Sequence, residues 1–90
     1  MKATRVLYEG YVQGVGFRWT TRDIAHGYEV AGWVRNLPDG RVEMQVSGEA
    51  EEVAAFLRAI RESTLGGHIS AEHTSEIDIP APFKGFRIVM

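Results

Sequence analysis

The sequence contains no cysteine, which removes disulfide staples, thiolate nucleophiles and cysteine-based metal sites together. No stretch approaches the roughly 20 consecutive apolar residues that a membrane span requires, and Met1-Lys2-Ala3-Thr4-Arg5 lacks the apolar run of a signal peptide. A soluble, cytoplasmic protein without a membrane partner is the expectation. Cations are not in excess either: 10 Lys and Arg stand against 12 Asp and Glu, a net charge of -2. A broad nucleic-acid surface is therefore not expected, because affinity for a phosphate backbone comes from clustered Lys and Arg. With 90 residues the chain reads as one domain, residues 1–90, too short for a second lobe that closes over a large substrate. A hydrophobic fraction of 44% is enough for a core without external staples.

What is present is periodic. Residues 3 to 12 alternate, with Val6, Tyr8, Gly10 and Val12 on one face, and read as a strand. From Phe17 the phase changes to Phe17, Thr21, Ile24, Ala25 and Tyr28, one face of a helix, although Thr20-x-x-Asp23 also resembles a capping box. Residues 30 to 36 and 41 to 47 are strands joined by Leu37-Pro38-Asp39-Gly40, whose Pro and Gly suit a hairpin turn. Val53, Phe56, Leu57 and Ile60 mark a second helix over residues 50 to 61, with Glu at its start and Arg at its end as the macrodipole favours.

After a flexible Leu65-Gly66-Gly67, alternation returns over residues 69 to 79, with Ile69, Ala71, His73, Ser75, Ile77 and Ile79 on one face and acidic residues on the other. Pro80 and Pro82 end that strand, and Phe86 to Val89 form a short last one. The order βαββαβ plus one short strand predicts an α+β fold. It is the ferredoxin-like α/β sandwich: an antiparallel sheet of four to five strands with two helices on one face. That fold hosts many functions, so the function must come from a site.

One junction draws the eye. Between the first strand and the first helix lies Gln13-Gly14-Val15-Gly16-Phe17-Arg18, with two glycines, an arginine and no carboxylate. A glycine turn feeding a helix N-terminus presents unpaired N–H groups and partial positive charge, and Arg18 adds a planar fork matched to phosphate oxygens. Taken alone, the same residues read more simply as a tight turn with a solvated arginine. Neither a dinucleotide fingerprint nor a P-loop is present, since Trp19 replaces the third glycine and no Gly-Lys-Ser/Thr follows.

Gly10-Tyr11-Val12-Gln13-Gly14-Val15-Gly16-Phe17-Arg18 resembles the signature loop of the acylphosphatases. Gly32-Trp33-Val34-Arg35-Asn36, followed by Asp39-Gly40-Arg41-Val42-Glu43, resembles their second signature, in the right order and spacing. The second half of the chain matches in element order, in length and in the closing Gly85-Phe86-Arg87-Ile88. The resemblance implies a ferredoxin-like sandwich that hydrolyses the carboxyl–phosphate bond of small-molecule acyl phosphates, releasing inorganic phosphate, without cofactor, metal or covalent intermediate. It implies phosphate binding by the backbone N–H groups of Gly14, Val15, Gly16, Phe17 and Arg18 together with the Arg18 side chain. It makes Arg18 and Asn36 the catalytic residues, Asn36 orienting the attacking water. Tyr11 departs from the pattern: many members carry a basic residue there.

The residues that are missing suit this chemistry. A carboxylate leaving group has a conjugate acid of pKa roughly 4, so no general acid is needed and no carboxylate pair is expected. Phosphoryl transfer is largely positioning and charge stabilisation. Read without the resemblance, Asn36 is also an ordinary residue before a turn. Phe17, Trp19 and Trp33 read as packing residues, and Arg22, Arg35 and Arg41 as solvated charge or as steering for anions. His68 and His73, five apart on a strand, point to opposite faces, and His26 lies elsewhere, so no metal site is expected.

Two rivals share the element order. An RNA-recognition domain is suggested by Lys84-Gly85-Phe86-Arg87-Ile88, but the next aromatic is missing and the segment is the last strand rather than the third. An accessory acylphosphatase-like domain of a larger carbamoyl-transfer protein is the other. The start at Met1 and the end just after the last strand favour a free-standing enzyme, expected to be a monomer.

Overall fold

The computed structural model describes residues 1–90. Strand β1 runs Lys2–Gly10, helix α1 Phe17–Ala25, β2 Val30–Asn36, β3 Val42–Gly48, α2 Ala50–Glu62, β4 Ile69–Asp78 and β5 Phe86–Ile88. The strands form one sheet in the order β4-β1-β3-β2-β5, with both helices packed on one face. Each βαβ half places its two strands parallel with one strand of the other half between them, which is the split βαβ arrangement the element order predicts. No helix is long and apolar enough to cross a membrane.

Alternation explains the core. Val6 and Tyr8 on β1, Val34 on β2 and Val42, Met44 and Val46 on β3 are buried on the helix side of the sheet. They meet Phe17, Thr21 and Ala25 of α1 and Val53, Phe56, Leu57 and Ile60 of α2, the stripes read from the 3.6-residue period. Tyr8 and Phe17 pack with ring centroids 5.0 Å apart, so the first helical residue after the glycine turn is anchored to β1. Truncating such a buried aromatic costs about 3–5 kcal/mol.

The structure differs from the sequence reading at four points. First, the sheet is mixed, not wholly antiparallel, because β5 pairs with β2 in parallel. The chain leaves β4 at one edge and crosses to the opposite edge at the end of the sheet where β2 begins, so β5 can only run alongside β2 in the same direction. Second, β1 ends at Gly10 rather than residue 12, where the register with β4 shifts and Gly10 takes φ 127°. A side chain at Gly10 would collide with the His68 carbonyl. Val12 is nonetheless buried.

Third, Leu65-Gly66-Gly67 is not a loose linker. Thr64–His68 forms a 3₁₀ turn with Leu65 buried and the Ser63 hydroxyl accepting from the Leu65 N–H at 3.1 Å. His68 therefore lies in that turn and not on a strand. Fourth, Glu72 does not share the exposure of the other acidic residues of β4: its side chain is 16% exposed, against 71% for Glu76 and 74% for Asp78. Glu72 stands opposite Tyr8 and Glu76 opposite Thr4, on the helix side at the sheet's edge. There Glu72 pairs with Arg61 at 3.1 Å, and Lys2 pairs with Asp78 at 2.9 Å and Glu76 at 3.8 Å.

Candidate active site

The loop between β1 and α1 takes its shape from two glycines. Gly14 at φ 79° and Gly16 at φ 77° occupy the left-handed region, where any other residue is strained, although space beside both is open. Gly16 is the residue that caps α1. It offers no side-chain bond to the helix start, and the first intrahelical bond is Thr20 N–H to the Gly16 carbonyl at 3.0 Å. The backbone N–H groups of residues 14 to 18 have no partner in the chain, and the first turn of α1 carries no acid. Unpaired N–H groups at the start of a nine-residue helix are donors of the kind that suit an anion.

Arg18, on the first turn, forms no ion pair or hydrogen bond with any residue, so its guanidinium is free for a ligand. It lines a cavity of about 180 Å³ with Val12, Gly14, Gly16, Phe17, Trp19 and Asn36. Asn36 comes from the far side, as the last residue of β2, facing Val42 across the hairpin. Its half-buried amide also lacks a partner within the chain. Thus Arg18, the glycine turn and Asn36 border one small cavity, together with Val12, Phe17 and Trp19. Larger hollows exist, such as one of about 400 Å³ between α2 and the sheet, but the cation in its wall, Lys2, is already paired with Glu76 and Asp78.

Of the residues expected at the site, Gly14, Gly16, Phe17, Arg18 and Asn36 line the cavity. Val15 does not: its side chain packs against the core, and only its N–H belongs to the loop. The arginines read as possible steering charges are otherwise engaged. Arg41 pairs with Asp39 at 2.8 Å, and its hydrogen bond holds the Asp39 carboxyl below the usual carboxylate range. Arg35 pairs with Glu43 at 2.7 Å, and the Arg22 guanidinium lies 4.1 Å over the Trp19 ring. Trp19 is not a packing residue: it is 60% exposed at the cavity rim. The histidines lie apart, His26 after α1, His68 beside Tyr11 and His73 against Glu9 at 3.1 Å.

Two supporting groups escaped sequence reasoning. Glu43 is almost fully buried and gripped by Arg5 at 2.6 Å and Arg35 at 2.7 Å. Burial works to raise its pKa, but the hydrogen bonds from Arg5 and Arg35 outweigh that and hold the carboxyl below its ordinary value. Gln13 donates to the carbonyls of Leu37 at 2.8 Å and Arg41 at 2.9 Å. Both residues stand inside the quoted motifs. Their partners lie 8 to 38 positions away, and the pairings leave no mark in local periodicity.

The acylphosphatase family profile matches residues 4–88. An acylphosphatase of Geobacillus thermodenitrificans is 39% identical over 89 residues, covering 99% of this chain and 95% of the relative. The crystal structure of acylphosphatase from Bacillus subtilis superposes with a TM-score of 0.89 at 31% identity, covering 100% of both chains. Full-length HypF in its phosphate- and nucleotide-bound form contains a similar segment, with a TM-score of 0.81 at 30% identity over 12% of that chain.

Proposed function

The chain belongs to the acylphosphatase family and is a hydrolase of acyl phosphates, and we propose that Arg18 and Asn36 carry the reaction in the cavity between α1 and β2. The observation that supports this reading is the convergence of unpaired groups. The N–H groups of residues 14 to 18 have no partner within the chain, and Gly14, Gly16, Phe17, Arg18 and Asn36 line the same 180 Å³ space.

In this reading the phosphoryl oxygens sit on the loop N–H groups and on Arg18, which stabilise the charge that grows in the transition state. The Asn36 side-chain oxygen accepts a hydrogen bond from a water and aligns it opposite the leaving oxygen, as a glutamine amide does in GTPases. The water oxygen forms a bond to phosphorus while the bond from phosphorus to the carboxyl oxygen breaks, releasing carboxylate and inorganic phosphate. No carboxylate or imidazole lines the cavity, so a phosphoryl oxygen of the substrate takes the water's proton. The carboxylate leaves without protonation because its conjugate acid has a pKa of roughly 4.

The protein acts as a monomer in the same proposal. Only four large apolar side chains are exposed, Met1, Tyr11, Trp19 and Met90, and two of them are the chain ends. The test is direct: purified protein is mixed with benzoyl phosphate, and substrate loss and phosphate release are followed together. Equal rates of both are expected, and no acceleration over buffer overturns the assignment.

A further inference from the structure

Gln13 reaches from the anion-binding loop to the turn that follows Asn36. Its Nε2 donates to the Leu37 carbonyl at 2.8 Å and to the Arg41 carbonyl at 2.9 Å, 24 and 28 residues away. Each carbonyl already accepts one backbone bond, Leu37 O from the Gly40 N–H at 3.2 Å and Arg41 O from the Leu37 N–H at 2.8 Å. A primary amide has two N–H donors in a fixed fork, so Gln13 fills the remaining lone pair of both at once. Leu37 directly follows Asn36, and Arg41 directly precedes Val42, the residue Asn36 faces across the hairpin. The two anchor points therefore bracket Asn36 on both strands.

Resting on the reading that Asn36 orients the water, we infer that Gln13 is a positioning residue that sets the distance between Asn36 and the phosphoryl group. The loop keeps its own shape through Gly14 at φ 79° and Gly16 at φ 77°. What Gln13 adds is the link between that loop and the hairpin carrying Asn36. Both Gln13 amide protons point at backbone carbonyls rather than into the cavity, whose lining does not include Gln13. Its effect therefore runs through Asn36. Alignment of a nucleophile is demanding, since a displacement near 1 Å costs on the order of 100-fold in rate.

The experiment measures benzoyl phosphate hydrolysis, inhibition by inorganic phosphate and Tm for wild type, Gln13→Met, Asn36→Ala and the double variant. Methionine keeps the length of Gln13 and removes both donors. Gln13→Met is expected to lower kcat about 10-fold, with the phosphate inhibition constant within about twofold of wild type. In the Asn36→Ala background the same substitution is expected to lower kcat by less than about twofold, because the residue it positions is gone. A loss of equal size in both backgrounds, or phosphate inhibition weakening in step with kcat, overturns the inference and makes Gln13 a general support of the fold. Should Gln13→Met fail to fold by circular dichroism, Gln13→Glu, which also removes both donors when ionised, is judged by the same two backgrounds. A wild-type rate in Asn36→Ala sinks the reading of Asn36 and this inference with it. An impaired Asn36→Ala beside a fully active Gln13→Met sinks this inference alone.

Discussion

Arg35 and Glu43 meet at 2.7 Å on adjacent strands, and Arg5 reaches the same carboxylate from β1 at 2.6 Å. Arg35 immediately precedes Asn36, so a three-residue ion cluster on the sheet face away from the helices braces the strand end that carries Asn36. Glu43 is 3% exposed while Arg5 and Arg35 are 36% and 44% exposed, so each arginine keeps part of its hydration.

This cluster predicts acid sensitivity. The folded protein keeps Glu43 ionised to lower pH than the unfolded chain does, so the unfolded state binds more protons in the interval between the two pKa values. The stabilisation is fully present above the ordinary glutamate value of roughly 4.3 and is lost as pH falls through the folded value. Glu43→Gln is expected to be less stable than wild type by about 1 kcal/mol at pH 7, the half-exposed arginines screening the rest. The gap should narrow as pH drops below about 4.5. Urea melts of both proteins at several pH values check this; a gap that stays constant would contradict it.

Arg18→Ala is expected to lower kcat/KM about 1,000-fold or more, the scale on which an arginine acts on a transferring phosphoryl group. Arg18→Lys should recover little, because a point charge lacks the planar fork. Since Arg18 forms no hydrogen bond or ion pair within the chain, the Tm of either variant should stay within a few degrees of wild type. Near wild-type turnover in Arg18→Ala would remove the guanidinium from the mechanism.

Asn36→Ala should act on kcat while leaving the anion loop intact. A loss of about 100-fold is expected, with inorganic phosphate inhibiting as in wild type, because alignment of the water matters in the transition state and not for ground-state binding. Steady-state kinetics with phosphate as competitor separate the two. Parallel loss of phosphate inhibition would instead make Asn36 a ligand of the anion.

Much of this was legible from spacing because the responsible forces are local. Alternation in β1 and β3 and the 3.6-residue stripe of α2 each report burial of one face, and the Leu37–Gly40 turn carries its own φ requirements. The glycine loop before Arg18 was readable for the same reason. The parallel pairing of β5 was not, since three residues carry no sign of direction and the crossing of the chain decides it. Nor were the sides of β4: Ile69 packs against the core where the register shifts near Gly10, while farther along Ile77 stands opposite Ala3 and Glu72 opposite Tyr8. Trp19 looked like core by residue type, and only its place at the cavity rim, under the Arg22 guanidinium, shows otherwise.

The anion loop can be tested without substrate. Inorganic phosphate carries the same oxygens as the transferred group, so it should occupy the N–H array of residues 14 to 18 and stabilise the folded state. Binding to the folded state alone contributes about 2.7 kcal/mol at a hundredfold excess over Kd. For a domain of this size that is a Tm rise on the order of 10 °C. Sulfate and phosphate also stabilise proteins by exclusion from the surface, so wild type must be compared with Arg18→Ala in the same buffer, where the non-specific part cancels. A shift in wild type at least twice that in the variant is the expected result. Because the cavity lining offers no carboxylate, thiolate or imidazole to a metal ion, EDTA should change neither this shift nor the rate of hydrolysis. Equal shifts in the two proteins would reduce the loop to a turn, and activity lost to EDTA and restored by a divalent cation would overturn the metal-free mechanism.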